Sequence, residues 1–165
     1  IGYQQESPSV RNSFLAAALE LRSGVPSGIP PKTLGPDLIR ALPTGLWLDY
    51  LAILLDSDEV DGDEFVINFV TPDNGEKYVV ELSNATLTSI EGFQAPDADL
   101  TVTLNRTDLE AVMMKQMTFT AAAEAGKMKL DGKTDLLSRL MGALVEPSPL
   151  FEIMPGTAGA TPVGY

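Results

Sequence analysis

The spacing of hydrophobic residues predicts a helix at the start of the chain, strands in the middle and a mixture of both at the end. Apolar residues recur every three or four positions over residues 9–22, which predicts a helix. Residues 45–55 are apolar on nearly every side, which is typical of a helix that is buried on more than one face or borders a cavity. Strands are predicted at residues 65–71, 77–83, 86–90 and 99–104. Their alternation of apolar and polar residues indicates an antiparallel sheet with one wet face.

Turn and cap residues refine this pattern. Asn74-Gly75 predicts a hairpin, because Asn-Gly supplies the positive φ of a tight turn. Thr44 is a candidate N-cap, and Thr107 with Glu110 forms a capping-box pattern that predicts another helix. The last part of the chain is predicted to hold a helix at 118–125, a strand at 127–130 and a helix at 134–145. The predicted class is α+β: an antiparallel sheet of about five strands, mixed at one edge, with helices packed on one face.

A segment rich in proline and glycine separates the first helix from the rest. Residues 25–36 hold four Pro and two Gly, a density that sustains neither a helix nor a central strand. We therefore expect a linker there, with the first helix docking onto a neighbouring structure. The chain begins with Ile1 rather than Met and shows no signal-like segment, so we expect a fragment or a processed product. Its longest apolar stretch, residues 46–55, is too short to span a membrane.

Composition and charge exclude several classes of function. Among 165 residues, 23 are Asp or Glu and 11 are Lys or Arg, and neither His nor Cys occurs, which gives a formal charge of −12. This excludes a Ser-His-Asp triad, a thiol nucleophile and a Cys/His zinc site. The segment from Asp49 to Asp99 holds 13 acidic residues and one base, whereas a nucleic-acid-binding protein needs a basic stripe. Nucleic-acid binding is therefore excluded.

Two segments imitate ligand-binding motifs. Residues 126–134 place five residues between two glycines where a phosphate-binding loop requires four. The acidic run at 56–64 fails the calcium-loop pattern, because Ile67 falls where the bidentate Glu belongs. We interpret that run as a solvated loop and leave open a weak cation site of another kind. Five of the six methionines lie between residues 113 and 141, beside Phe119, where thioethers fill irregular cores or line adaptable apolar cavities.

Several segments together resemble the C-terminal domain of bacterial alkyl sulfatases, a domain of the sterol-carrier-protein type. The segments are Leu42-Pro43 with residues 47–52, and residues 68–78, 98–106 and 126–132. Residues 2–4 and 11–24 are similar to the last helix of the dimerisation region that precedes this domain. The expected organisation is a helix at 1–24, a linker at 25–35, a sterol-carrier-protein-like domain at 36–154 and a disordered tail at 155–165.

The resemblance implies a division of labour within a longer enzyme. In such enzymes a metallo-β-lactamase-type domain holds two zinc ions and hydrolyses the sulfate ester, and the C-terminal domain offers an apolar surface for the alkyl chain. The implied role of this chain is therefore non-catalytic, with no cofactor of its own and with zinc held in another domain. A periplasmic or secreted location is implied. The implied partners are a long-chain alkyl molecule, the catalytic domain of the same polypeptide and a second copy of the chain bound through residues 1–24.

An apolar pocket is expected between the helix at 45–55, the strand at 65–69 and the segment at 113–119. The candidate residues for binding an apolar ligand are Trp47, Tyr50, Leu51, Leu54, Phe65, Ile67, Phe69, Met113, Met117 and Phe119. Two other hypotheses stay open. The first is a purely structural or dimer-interaction module with a filled core, and the second, which the sequence supports least, is a carboxylate-based or acyl-handling enzyme.

Overall fold

The structure is a computed structural model in which the chain forms two compact units. It describes residues 1–25, 35–146 and 151–157. Unit 1 comprises Ile1–Lys32 with Pro147–Tyr165, and unit 2 comprises Thr33–Glu146. Most of the predicted linker (26–34) and most of the predicted tail (158–165) lie outside the described residues.

The predicted α+β class is confirmed. The helices are α1 (Pro8–Ser23), α2 (Pro36–Ala41), α3 (Thr44–Leu54), α4 (Arg106–Met113), α5 (Phe119–Glu124) and α6 (Asp135–Gly142), with a 3-10 turn at Gly2–Gln4. The strands are β1 (Phe65–Thr71), β2 (Glu76–Ser83), β3 (Thr86–Glu91), β4 (Leu100–Leu104) and β5 (Met128–Gly132). In the part of the chain that the structure describes, no helix is long and apolar enough to cross a membrane.

The five strands form one mixed sheet in the order β3-β2-β1-β4-β5. β1 and β4 run parallel, with Phe69 opposite Val102, and the other neighbouring strands are antiparallel. The parallel pair lies inside the sheet rather than at its edge. The reason is that β3 ends at one edge of the sheet, so the chain must cross to the far side of β1 before β4 begins.

The core of unit 2 lies on one face of this sheet. Alternate residues of β1 and β4 are buried there, among them Phe69 and Val102, and the helices contribute Trp47, Leu109 and Leu137 to the same cluster. The ring of Trp47 lies 6.0 Å from that of Phe69 between centroids, in a tilted arrangement that aromatic pairs favour.

Helix α3 buries one face only. Trp47 and Leu51 are buried, whereas Leu46, Tyr50 and Ile53 are 54%, 42% and 78% exposed. The prediction that this helix is buried on more than one face is therefore wrong for the described structure. It does not border the main cavity either.

Two predicted helix caps do not form, because distant residues take over their hydrogen bonds. The Asp73 carboxylate, in the β1–β2 turn, accepts the backbone N–H groups of Arg106 and Thr107, so α4 begins one residue before the predicted capping box. Thr44 is the first residue of α3 rather than its cap. Its hydroxyl donates to the Glu76 carboxylate and accepts from the Arg106 guanidinium.

In unit 1, a buried carboxylate joins α1 to the C-terminal segment. Glu20 is 1% exposed and accepts the backbone N–H groups of Ile153 and Met154 at 2.8–3.0 Å, together with the hydroxyl of Thr157. The hydroxyl and the two N–H groups hold the pKa of the Glu20 carboxyl below its usual range.

An ion pair at the β4–β5 edge predicts a pH dependence of stability. Lys133 donates to the Asp99 carboxylate at 2.8 Å and the Val66 N–H donates at 3.0 Å, and both lower the pKa of Asp99. A lowered folded-state pKa contributes stability above the unfolded-state value of about 3.9, and this contribution is lost as the pH falls through the folded-state value. The difference in unfolding free energy between the native chain and Asp99→Asn should therefore shrink below about pH 4.

Urea denaturation of both proteins at pH 7, 5 and 3 measures that difference. A difference in unfolding free energy that stays constant over this range would show that Lys133 and the Val66 N–H do not stabilise the ionised Asp99 carboxylate in the folded state.

Candidate functional site

A cavity of about 560 Å³ lies within unit 2, between α5, α6, β5 and the C-terminal end of α4. This volume is within the range of about 300–1,000 Å³ that is typical of small-molecule sites. A concave space of this size is the kind of site in which proteins bind small molecules.

The interior of the cavity is apolar. Buried residues form its floor: Phe119, Met128 and Leu137. Half-buried residues form its walls: Val112, Met117, Ala123, Leu130 and Met141. Three of these eight residues are methionines, whose unbranched side chains adapt to ligands of different shape.

The sequence explains why this space is left open. Helix α5 contributes Ala123 to the lining, and its single methyl group leaves the space towards α6 unfilled. Helix α6 is amphipathic, with Leu137 and Met141 one turn apart facing inward. Strand β5 points Met128 and Leu130 to the same side, because alternate residues of a strand share a face.

The rim of the cavity is polar. It consists of five exposed residues: Lys115, Thr118, Thr120, Thr134 and Ser138. Thr118 also caps α5, since its hydroxyl accepts the N–H of Ala121 at 3.1 Å. Within the described ranges, no acidic side chain lines the cavity and Lys115 is its one charged residue.

A much smaller void of about 20 Å³ lies on the core side of the cavity. Phe119, Leu137 and Met141 line both spaces and so form a thin partition between them. Trp47 lines the void, and its ring lies 6.2 Å from that of Phe119 between centroids. An occupant of the cavity would therefore be separated from the indole of Trp47 by one aromatic side chain.

The structure distributes the ten predicted binding residues over three places. Met117 and Phe119 line the cavity. The residues that line only the small void are Trp47, Leu51, Ile67 and Phe69. The residues that line neither space are Tyr50, Leu54, Phe65 and Met113. Two of the ten predicted residues therefore line the larger cavity, and the other eight lie outside its lining.

Most of the cavity lining was missed from the sequence. The missed apolar residues are Val112, Ala123, Met128, Leu130, Leu137 and Met141. A signal for them exists in the clustering of methionines around Phe119, although such a cluster more often fills an irregular core than lines a cavity. The alanine run in α5 is a second signal, because small residues on a helix that covers a sheet leave unfilled volume.

The residues of this chain do not fit a zinc site. The sequence offers neither His nor Cys, and among the described residues no three acidic side chains converge as metal ligands. In the acidic loop after α3, Asp63 is paired with Arg139 of α6.

The fold is of the sterol-carrier-protein type. A ubiquinone synthesis protein, UbiJ-SCP2, matches 63% of this chain and 94% of its own length with a TM-score of 0.51 at 17% identity, which shows a shared fold. The chain belongs to the alkyl sulfatase C-terminal family, whose model matches residues 32–156.

Curated relatives and solved structures agree with this assignment. The linear primary-alkylsulfatase of Pseudomonas sp. is 40% identical over 141 residues, which are 86% of this chain and 21% of that protein. The structure of the stereoselective inverting sec-alkylsulfatase Pisa1 from Pseudomonas sp. matches 92% of this chain and 24% of its own, with a TM-score of 0.79 at 34% identity. The chain thus spans about a fifth to a quarter of the length of these relatives.

Proposed function

We propose that unit 2 binds the linear alkyl chain of an amphiphile in the cavity between α5, α6 and β5. The observation that carries this proposal is an apolar space of about 560 Å³ with a polar rim, on a domain whose relatives are alkylsulfatases. In the longer protein, the domain would present the apolar tail of an alkyl sulfate ester to a separate zinc hydrolase domain. Unit 2 itself would perform no chemical step.

The hydrophobic effect supplies enough free energy for such binding. Each methylene group moved out of water contributes about 0.8 kcal/mol, so ten contribute about 8 kcal/mol before the cost of ordering the ligand. No polar anchor is then needed for affinity. The methionine-rich walls favour tolerance of chain length and branching over a rigid fit.

The affinity for neutral alcohols should rise steeply with chain length. If successive methylene groups enter the cavity, each pair should tighten binding by up to about fifteenfold from hexan-1-ol to octan-1-ol to decan-1-ol. Isothermal titration calorimetry measures the dissociation constants, and the fluorescence of Trp47 beyond the partition gives a second signal.

A matched pair of variants locates the binding. Ala123→Phe fills the cavity and should weaken decan-1-ol binding at least tenfold, whereas Ala121→Phe places the same ring on the exposed side of α5 and should leave binding unchanged. Wild-type binding that does not saturate, or equal affinities in the two variants, would contradict the proposal.

A structural or dimer-interaction role is the alternative, and the exposed apolar residues of α1 favour it. Val10, Phe14 and Leu21 are 43%, 48% and 57% exposed, which suits a helix that docks onto a partner. This alternative predicts no saturable binding of alcohols, so the same titration separates the two roles.

A further inference from the structure

We propose that Lys115 makes the cavity selective for amphiphiles with a monoanionic head group over neutral alcohols of the same chain length. This inference rests on the proposed binding of an alkyl chain and adds the residue that recognises the head group. It assigns Lys115 to specificity rather than to affinity.

The position of Lys115 is the first observation. The floor and walls of the cavity are apolar, and Lys115 is the one charged residue among those that line it within the described chain. The other rim residues carry hydroxyl groups, which donate hydrogen bonds to sulfate or carboxylate oxygens without adding charge. An amphiphile with its tail among the methionines would therefore leave its head group beside one cation and several hydroxyls.

The backbone conformation of Lys115 is the second observation. Its φ is +56°, in the left-handed region that favours glycine. It ends α4 in a Schellman motif: the N–H of Lys115 donates to the Val112 carbonyl and that of Gln116 to the Ala111 carbonyl, both at 2.9 Å. Glycine is the residue this position prefers, so a lysine here indicates a role for its side chain.

The charge of the surroundings is the third observation. Lys115 forms an ion pair with Glu146, and the two side chains are 76% and 75% exposed. Pairs with this exposure are weak, so an anionic head group would compete for the ammonium group at little cost. No acidic residue of the described chain belongs to the lining itself, so the Glu146 carboxylate is the group that an anionic head group would have to displace from Lys115.

Calorimetric titrations with decyl sulfate, decanoate and decan-1-ol test the proposal, with both anions kept below their micelle-forming concentrations. Lys115→Gln should weaken the binding of both anions by up to about fivefold, the upper end of what an exposed pair contributes, and leave decan-1-ol binding unchanged. Lys115→Arg should restore anion binding. Glu146→Gln, which removes the competing carboxylate, should strengthen it. The effect of Lys115→Gln should fade at high salt.

Lys127→Gln is the matched control, because it removes an equal charge from an exposed lysine that is paired with Asp108 and does not line the cavity. Lys115→Gly adds a second control: it suits the left-handed backbone, so it should lose anion selectivity while the domain becomes no less stable. If decan-1-ol binds but Lys115→Gln changes the three ligands equally or not at all, the selectivity proposal is overturned and the alkyl-chain proposal stands. If no ligand binds the native chain, both proposals are overturned.

Discussion

Replacing Trp47 with alanine is expected to lower the unfolding free energy of unit 2 by about 3–5 kcal/mol. Trp47 is 7% exposed and contacts two other rings, Phe69 of β1 and Phe119 at the start of α5. Its removal deletes both ring contacts, and the surrounding side chains only partly fill the space left behind. The removal also withdraws support from Phe119, which separates the core from the cavity.

Urea denaturation followed by circular dichroism measures the effect of Trp47→Ala, since the variant has lost the only tryptophan of the chain. Trp47→Phe is the control, because it keeps an aromatic ring and should lose markedly less stability. A loss below about 1 kcal/mol for Trp47→Ala would show that the indole does not join the two sides of the core.

Replacing Arg106 with methionine is expected to cost about 3–5 kcal/mol of unfolding free energy. The residue is 9% exposed, and its guanidinium donates to the Thr44 hydroxyl at 2.7 Å and to the carbonyl oxygens of Ile39 and Leu42. The Glu110 carboxylate lies one turn further along α4, at 3.3 Å from Nε. Methionine fills a similar volume but leaves these acceptors without their donor, and a buried unsatisfied polar group is costly.

The matched control for Arg106→Met is Arg40→Met. Arg40 pairs with Asp37, but both side chains are largely exposed, so this loss should stay within about 1 kcal/mol. Arg106→Lys should recover only part of the stability, because an ammonium group lacks the planar fork that reaches several acceptors at once. Equal losses for Arg106→Met and Arg40→Met in urea denaturation would contradict the role assigned to Arg106.

The elements of the fold are largely predictable because their signals are local. The alternation in β1 and β4, the Asn74-Gly75 turn and the amphipathic pattern of α6 each depend on residues a few positions apart. The parallel pairing of β1 with β4 has no such local signal, because it depends on the side of the sheet to which β4 is added after β3. The capping box at Thr107 fails for a similar reason: Asp73, 33 residues away from Arg106, caps α4, and no local pattern contains that contact.

The site is less predictable than the fold, because a cavity is defined by what does not fill it. The sequence marks α3 as the most apolar helix, but its bulky inward residues Trp47 and Leu51 pack into the core and leave a void of only about 20 Å³. The larger space lies beside α5, where the small side chain of Ala123 lines it. The sequence around Lys115 does not indicate the role proposed for it either. That role depends on the left-handed backbone conformation of Lys115 and on its place at the rim of the cavity.

The central claim, that this cavity takes an alkyl chain, is tested most directly by nuclear magnetic resonance on the methionine methyl groups. The chain has six methionines, of which Met117, Met128 and Met141 line the cavity. On titration with decan-1-ol, these three methyl signals should shift together and saturate with one dissociation constant. Absence of saturable shifts at the three cavity methyl groups would contradict alkyl-chain binding in this cavity.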